Sequence, residues 1–200
     1  MVVLARSISA ILLAFAVVSG ATTEASAARR KPAEARRPVQ AEIVMDAATG
    51  KVLRARNADV PTYPASLTKM MTLLLTFEAL DRGKLRLDQR LRVSAHAASM
   101  SPSRLGLTPG ETITVRDAIP ALTTKSANDV AVVLAEALGG TETKFAAAMT
   151  KRARALGMKS TTFRNASGLP HPGQRTTARD MAILSRAIVR LPERHYGHFS

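Results

Sequence analysis

Cysteine is absent from all 200 residues, which excludes disulfides, thiolate metal sites and a cysteine nucleophile together. Tryptophan is absent too, and only two tyrosines and five phenylalanines occur, so the core must be aliphatic and alanine-rich, a composition that leans toward helix. No G-x-S-x-G elbow is present, and Ser167 has glycine on one side only, which removes the usual presentation of a Ser-His-Asp nucleophile. Dinucleotide-type and P-loop glycine patterns are missing as well. Acidic residues are few: 15 against 29 lysines and arginines leave a net charge of +14. Such a charge raises nucleic acid as a partner. The basic residues, however, are spread over leader, strands and helices with no aromatic platform among them, so no nucleic acid is expected. Attraction to anionic wall polymers, with peripheral association at an anionic membrane surface, is the expectation instead.

What is present begins with a targeting pattern. Arg6 precedes an apolar segment over residues 8–18, well short of the ~20 residues that span a bilayer, and Ala25-Ser26-Ala27 follows. Residues 1–27 therefore read as a secretory signal peptide, residues 28–40 as a basic flexible leader, and the protein as exported to the periplasm or cell envelope. Residues 41–200, within a chain that is 46% hydrophobic, suffice for one domain with a real core.

Along that domain, residues 41–46 and 51–56 read as two strands of an antiparallel hairpin around Ala47-Ala48-Thr49-Gly50. An apolar run from Ser66 to Leu80 reads as a helix stopped by Asp81-Arg82-Gly83. Residues 85–110 read as less regular, with turns at Ser101-Pro102 and Thr108-Pro109-Gly110, and His96 among them reads as a surface or hydrogen-bonding residue with no partner that would make it a base. Thr114 with Asp117 forms a capping box for a helix over 115–122, and further helices are expected over 130–138, 141–156 and from Thr177 to Leu191. Lys144, Lys151, Arg152 and Arg154 read as a solvated face of the third of these, and residues 159–165 as extended. His195 and His198 stand i, i+3 with no third ligand in view, so a polar terminus is expected and no metal.

The chemistry sits at the start of the Ser66 helix, where Ser66 and Lys69 lie three apart. That spacing stacks hydroxyl and amine on one helical face. A lysine can take a serine proton only where desolvation or nearby cations lower its pKa. Amide groups left free at a helix N-terminus favour a developing oxyanion. On its own S-x-x-K occurs about once by chance in a chain this long, and an N-cap serine beside a solvated lysine would look the same. Downstream, Ser126-x-Asn128 falls between two apolar helical segments and offers a hydroxyl that can relay protons and an amide that can hold a peptide. The bland alternative is that Ser126 or Asn128 merely caps the second helix.

Tyr63-Pro64-Ala65-Ser66-Leu67-Thr68-Lys69-Met70-Met71-Thr72 and Ser126-Ala127-Asn128-Asp129 resemble the first two motifs of the serine-type D-alanyl-D-alanine carboxypeptidases, the low-molecular-mass penicillin-binding proteins. Thr49-Gly50-Lys51-Val52-Leu53, Thr108-Pro109-Gly110-Glu111 and Phe163-Arg164-Asn165-Ala166-Ser167-Gly168-Leu169-Pro170 are similar to further family segments, in the family's order. The resemblance implies an α/β (α+β) fold of the β-lactamase and penicillin-binding-protein transpeptidase type, a helical subdomain with an antiparallel sheet. It implies a peptidoglycan stem peptide as substrate and β-lactam antibiotics as covalent inhibitors, with no cofactor. Ser66 would be the nucleophile, Lys69 the general base, Ser126 the proton relay and Asn128 the clamp on the substrate amide. Ala127 fits carboxypeptidases better than the S-D-N of class A β-lactamases. The family's third motif, K-T-G, is not found in the 200 residues. The expectation is therefore a chain truncated before that motif, with an incomplete sheet, and the alternative is a non-catalytic envelope relative.

Overall fold

A computed structural model describes residues 40–199. The expected signal peptide lies outside the described residues, as does the leader up to residue 39. Strands β1 (Glu42–Met45) and β2 (Val52–Arg56) pair antiparallel, with Glu42 opposite Arg56 and an irregularity after Val44. The expected turn closes them. Asp46 Oδ1 accepts both the amide and the hydroxyl of Thr49, which holds its carboxyl below the usual range, and Gly50 takes the left-handed φ of +78°.

A single 3-10 turn (Ala65–Leu67) leads into helix α1 (Thr68–Asp81). Ser66 thus stands one short turn ahead of the α-helix rather than within it. Strand β3 (Arg90–Arg92), helix α2 (Ala95–Ala98), strand β4 (Thr112–Thr114) and helix α3 (Val115–Thr123) follow. Thr114 caps α3 by accepting the Asp117 amide, as the capping box predicts. Helix α4 (Asn128–Gly139) comes next, then α5 (Glu142–Leu156), capped by Thr141 and ended at left-handed Gly157. Helix α6 (Ala178–Val189), capped by Thr177, and a short α7 (Glu193–Tyr196) complete the described chain.

Helix α4 is the axis of the core. Residues 130–135 are all buried, and α4 packs against α1, α2, α3 and α5. A helix apolar all round can only be stable when enclosed in this way. Phe77, Phe145 and Phe163, each at most 2% exposed, fill the spaces around it together with Met71, Met149 and Leu184. The mixed helical and antiparallel-strand architecture agrees with the expected α+β class. Between β1 and α6 runs a groove of about 730 Å³, lined by Ile43, Val44, Leu67, Met181 and Val189.

Several expectations need correction. The stretch 85–110 is not wholly irregular: β3 enters a second ribbon with β4, Leu91 opposite Ile113. Each strand buries only that one residue, too short an alternation to stand out in sequence. Residues 159–165 form no strand and contribute only an isolated bridge, Thr162 to Arg175. On α5 the solvated face holds for the exposed Lys144 and Lys151, whereas Arg152 pairs with Glu78 at 2.7 Å and Arg154 donates to the carbonyls of Met158 and Thr161. His195 is not part of a loose polar terminus. It is 6% exposed, stacks on Phe77 with centroids 4.7 Å apart and bonds Asp81 Oδ1 at 2.7 Å. Arg194 and His195 together hold the Asp81 carboxyl below its usual range.

Candidate functional site

Lys69 occupies the second position of α1, on the side turned toward the N-terminus of α4, and is 3% exposed. A buried ammonium with no carboxylate partner is costly, so its hydrogen bonds decide whether it is tolerated. Nζ donates to Asn128 Oδ1 at 2.7 Å and to the carbonyl oxygen of Ser167 at 2.7 Å. Both acceptors are neutral, and no salt bridge to Lys69 exists among the described residues. Burial accordingly pulls the Lys69 pKa from 10.5 down to about 8. The desolvation that a lysine base requires is present.

Asn128 is the first residue of α4, and its cap is Ala127, which offers no side-chain acceptor. Capping is therefore not what Asn128 or Ser126 does. The Asn128 amide reaches sideways instead: Oδ1 accepts from Lys69, and one Nδ2 hydrogen goes to the Ser101 carbonyl at 3.3 Å, leaving the second. Ser126 sits between α3 and α4 at a left-handed φ of +55°, which is uncommon without glycine and marks a tightly determined backbone. The neighbouring Asp129 is fully buried and accepts the amides of Leu105, Gly106 and Leu107 at 3.0–3.3 Å. Ser103 adds a bond to the Lys125 carbonyl, so the 101–107 loop is fastened along the α3–α4 junction.

Ser66 is exposed on the 3-10 turn. Its neighbour Ala65 has φ +47°, again left-handed. Against that turn lies Gly168, at φ +92°, so close that a Cβ there would overlap the Ala65 carbonyl oxygen. Only glycine fits. Beside the turn opens a cavity of about 400 Å³ lined by Tyr63, Leu169, Pro170, His171 and Pro172, with the Arg175 guanidinium 4.6 Å over the Tyr63 ring.

The structure thus joins Lys69 to Asn128 directly and sets Ser66 three residues ahead of the lysine. Among the described residues, the hydroxyls of Ser66 and Ser126 make no hydrogen bond to Lys69 or to each other. What sequence reasoning missed is the Ser167 carbonyl, with its neighbour Ala166 anchored by Thr72 Oγ1 at 2.7 Å. The segment 163–170 signalled its importance only by resemblance, since a backbone oxygen has no residue type. His96, expected to be a surface or hydrogen-bonding residue, is 52% exposed and bonds Glu142 Oε2 at 2.8 Å. The arrangement as a whole can supply a hydroxyl nucleophile, an amine with a pKa near neutrality and a second hydroxyl.

Comparison with known proteins bears on the family and the fold. The family model for D-alanyl-D-alanine carboxypeptidases, peptidase family S11, matches residues 27–199. The chain is 38% identical over 161 residues to the D-alanyl-D-alanine carboxypeptidase DacF of Bacillus subtilis, covering 80% of this chain and 41% of that protein. The crystal structure of the D-alanyl-D-alanine carboxypeptidase DacD from Francisella tularensis superposes with a TM-score of 0.78 at 36% identity, over 84% of this chain and 41% of that one. Penicillin-binding protein D2 from Listeria monocytogenes in its ampicillin-bound form gives 0.68 at 37% identity, over 76% and 63%. The chain spans about two fifths of the length of the curated relatives it matches.

Proposed function

Because the chain belongs to the D-alanyl-D-alanine carboxypeptidase family, we propose that it carries the acylation centre of an exported, penicillin-sensitive serine hydrolase that removes the terminal D-alanine from peptidoglycan stem peptides. One observation carries the reading: a buried lysine without a counter-ion, its pKa lowered to about 8, lies three residues after an exposed serine and bonds the asparagine of a second motif.

In the proposed mechanism the neutral Lys69 amine takes the Ser66 proton as Oγ attacks the penultimate carbonyl carbon. The carbonyl π pair moves to oxygen, and the amides free at the helix start face that charge. When the tetrahedral intermediate collapses, the C–N bond breaks, and the proton held by Lys69 passes through the Ser126 hydroxyl to the leaving D-alanine nitrogen. An ester on Ser66 remains. Water then attacks the ester with Lys69 again as proton acceptor, releasing the shortened peptide and the Ser66 hydroxyl. Asn128 serves twice, orienting Lys69 through Oδ1 and offering Nδ2 to the substrate backbone. A β-lactam acylates Ser66 by the same first step, its amide opening without a departing fragment. The periplasm is the proposed location, with the excess positive charge favouring anionic wall and membrane surfaces. No helix among the described residues is long and apolar enough to cross a membrane.

The test is the intact mass of the protein after incubation with benzylpenicillin, beside Ser66→Ala. A penicilloyl adduct on the wild type alone is expected. An adduct that persists in Ser66→Ala refutes the assignment.

A further inference from the structure

The Ser167 carbonyl belongs to no helix or strand, so its position must be imposed by neighbouring side chains. Asn165 closes the segment on itself, accepting the Gly168 amide through Oδ1 and donating to the Leu169 carbonyl through Nδ2, both at 2.8 Å. Thr72 of α1 holds the Ala166 carbonyl. Gln174, 2% exposed, accepts the Arg164 and Asn165 amides and donates to the Leu169 carbonyl. A further tie comes from outside the site: the Ala166 amide donates to Glu142 Oε1 at 2.9 Å. Glu142 is the first residue of α5, its side chain is 13% exposed, and its other oxygen receives His96 Nε2. One carboxylate therefore grips the Asn165–Ala166 peptide unit, and Thr72 the Ala166–Ser167 unit that leads to the carbonyl receiving Lys69.

We propose that Glu142 is a positioning residue for the Lys69 base, acting through the Ala166–Ser167 backbone. A charged oxygen accepting an amide makes a stronger bond than a neutral one. By fixing Ala166 from one side while Thr72 fixes it from the other, Glu142 keeps the Ser167 carbonyl against Lys69 and water out of the lysine's surroundings. Without it the loop loosens, water reaches the ammonium, and the charged form of Lys69 is restored. Asp129, next to Asn128, is already taken up by the 105–107 amides. This inference rests on the proposed roles of Ser66 and Lys69.

The experiment compares wild type, Glu142→Ala, Glu142→Gln and His96→Ala by two readouts. One is the pH dependence of benzylpenicillin adduct formation. The other is direct titration of Lys69 by NMR of ε-¹³C-labelled lysine. Wild type should show a midpoint near 8. In Glu142→Ala the midpoint should climb toward 10.5, slowing acylation at pH 7 by about tenfold for each pH unit. Glu142→Gln, which retains Oε1 as an acceptor, should restore the midpoint, and His96→Ala should leave it in place. If the alanine variant does not fold, Glu142→Ser removes the same acceptor while keeping a polar first-turn residue. A wild-type midpoint in the folded Glu142→Ala or Glu142→Ser protein overturns the inference. So does a shift in His96→Ala as large as that in Glu142→Ala, because the tie between α2 and α5 would then be responsible. A wild type that forms no adduct, while its Lys69 midpoint still moves in Glu142→Ala, refutes the proposed chemistry and leaves the positioning role standing.

Discussion

Lys69 makes the stability of the fold depend on pH in a way that needs no catalysis to measure. In the unfolded chain its amine is hydrated and titrates near 10.5, whereas in the fold, 3% exposed, it titrates near 8. The unfolded state therefore binds the proton more tightly. Below pH 8 both states are protonated and this group contributes no slope. Between pH 8 and 10.5 the folded state has lost its proton while the unfolded state retains it, so stability rises with pH. The full rise, from about 8 to 10.5 at ~1.36 kcal/mol per pH unit, is roughly 3 kcal/mol. Most of it falls between pH 7 and pH 10. Other lysines and tyrosines titrate in that window too, so the perturbation is Lys69→Met, which keeps the side-chain volume and removes the amine. Urea unfolding of both proteins at pH 7, 8, 9 and 10 gives the difference in free energy at each pH. At pH 7 its value is set by two opposed effects: relief of the buried charge, and loss of the donor to Asn128 and Ser167, about 1–3 kcal/mol for each acceptor left bare. Its change with pH is free of that offset. The wild type should gain roughly 2–3 kcal/mol on Lys69→Met across the range. A difference constant to within about 0.5 kcal/mol would show that Lys69 titrates as an ordinary surface amine, and the reasoning would fall.

Two further outcomes follow from the same geometry. If neutral Lys69 is the base, about one molecule in eleven is competent at pH 7 and most are at pH 9, so benzylpenicillin acylation should accelerate about tenfold between those values and then level off. A rate still climbing beyond pH 10, measured by quenched-flow mass analysis, would contradict it. Gly168→Ala should push the 165–169 segment away from the Ser66 turn, slowing adduct formation by about a hundredfold and lowering the melting temperature. Unchanged acylation in that variant would show that the turn does not depend on the contact.

How much of this could be read from the sequence differs between side chains and backbone. The hairpin, α1 and the helices behind Thr114, Thr141 and Thr177 announce themselves, because capping threonines and long apolar periods are local signals. Lys69 and Asn128, selected by spacing, do meet. The β3–β4 ribbon stayed hidden because one buried residue per strand makes no pattern. The Ser167 carbonyl stayed hidden because every residue has one, and only the fold decides which is used. Glu142 is a first-turn acid of α5, a place where the helix dipole alone accounts for a carboxylate, and nothing nearby in sequence points to Ala166. His195 was misread because its partners, Phe77 and Asp81, lie on α1, far away along the chain.

The partners of Lys69 also order events in time. Asn128 follows it by 59 residues and Ser167 by 98. At a synthesis rate of roughly 5–20 residues per second, the Ser167 carbonyl is made about 5–20 s after the lysine it will receive. Until both partners have arrived and docked, the amine remains in water and protonated, and under the proposed mechanism Ser66 has no base. On that proposal a nascent or half-folded chain is chemically silent, and reactivity switches on only with the long-range contacts of the finished core. A fluorescent β-lactam would then report more than activity: in a pulse-chase experiment its covalent mark would count the molecules that have completed folding, one by one.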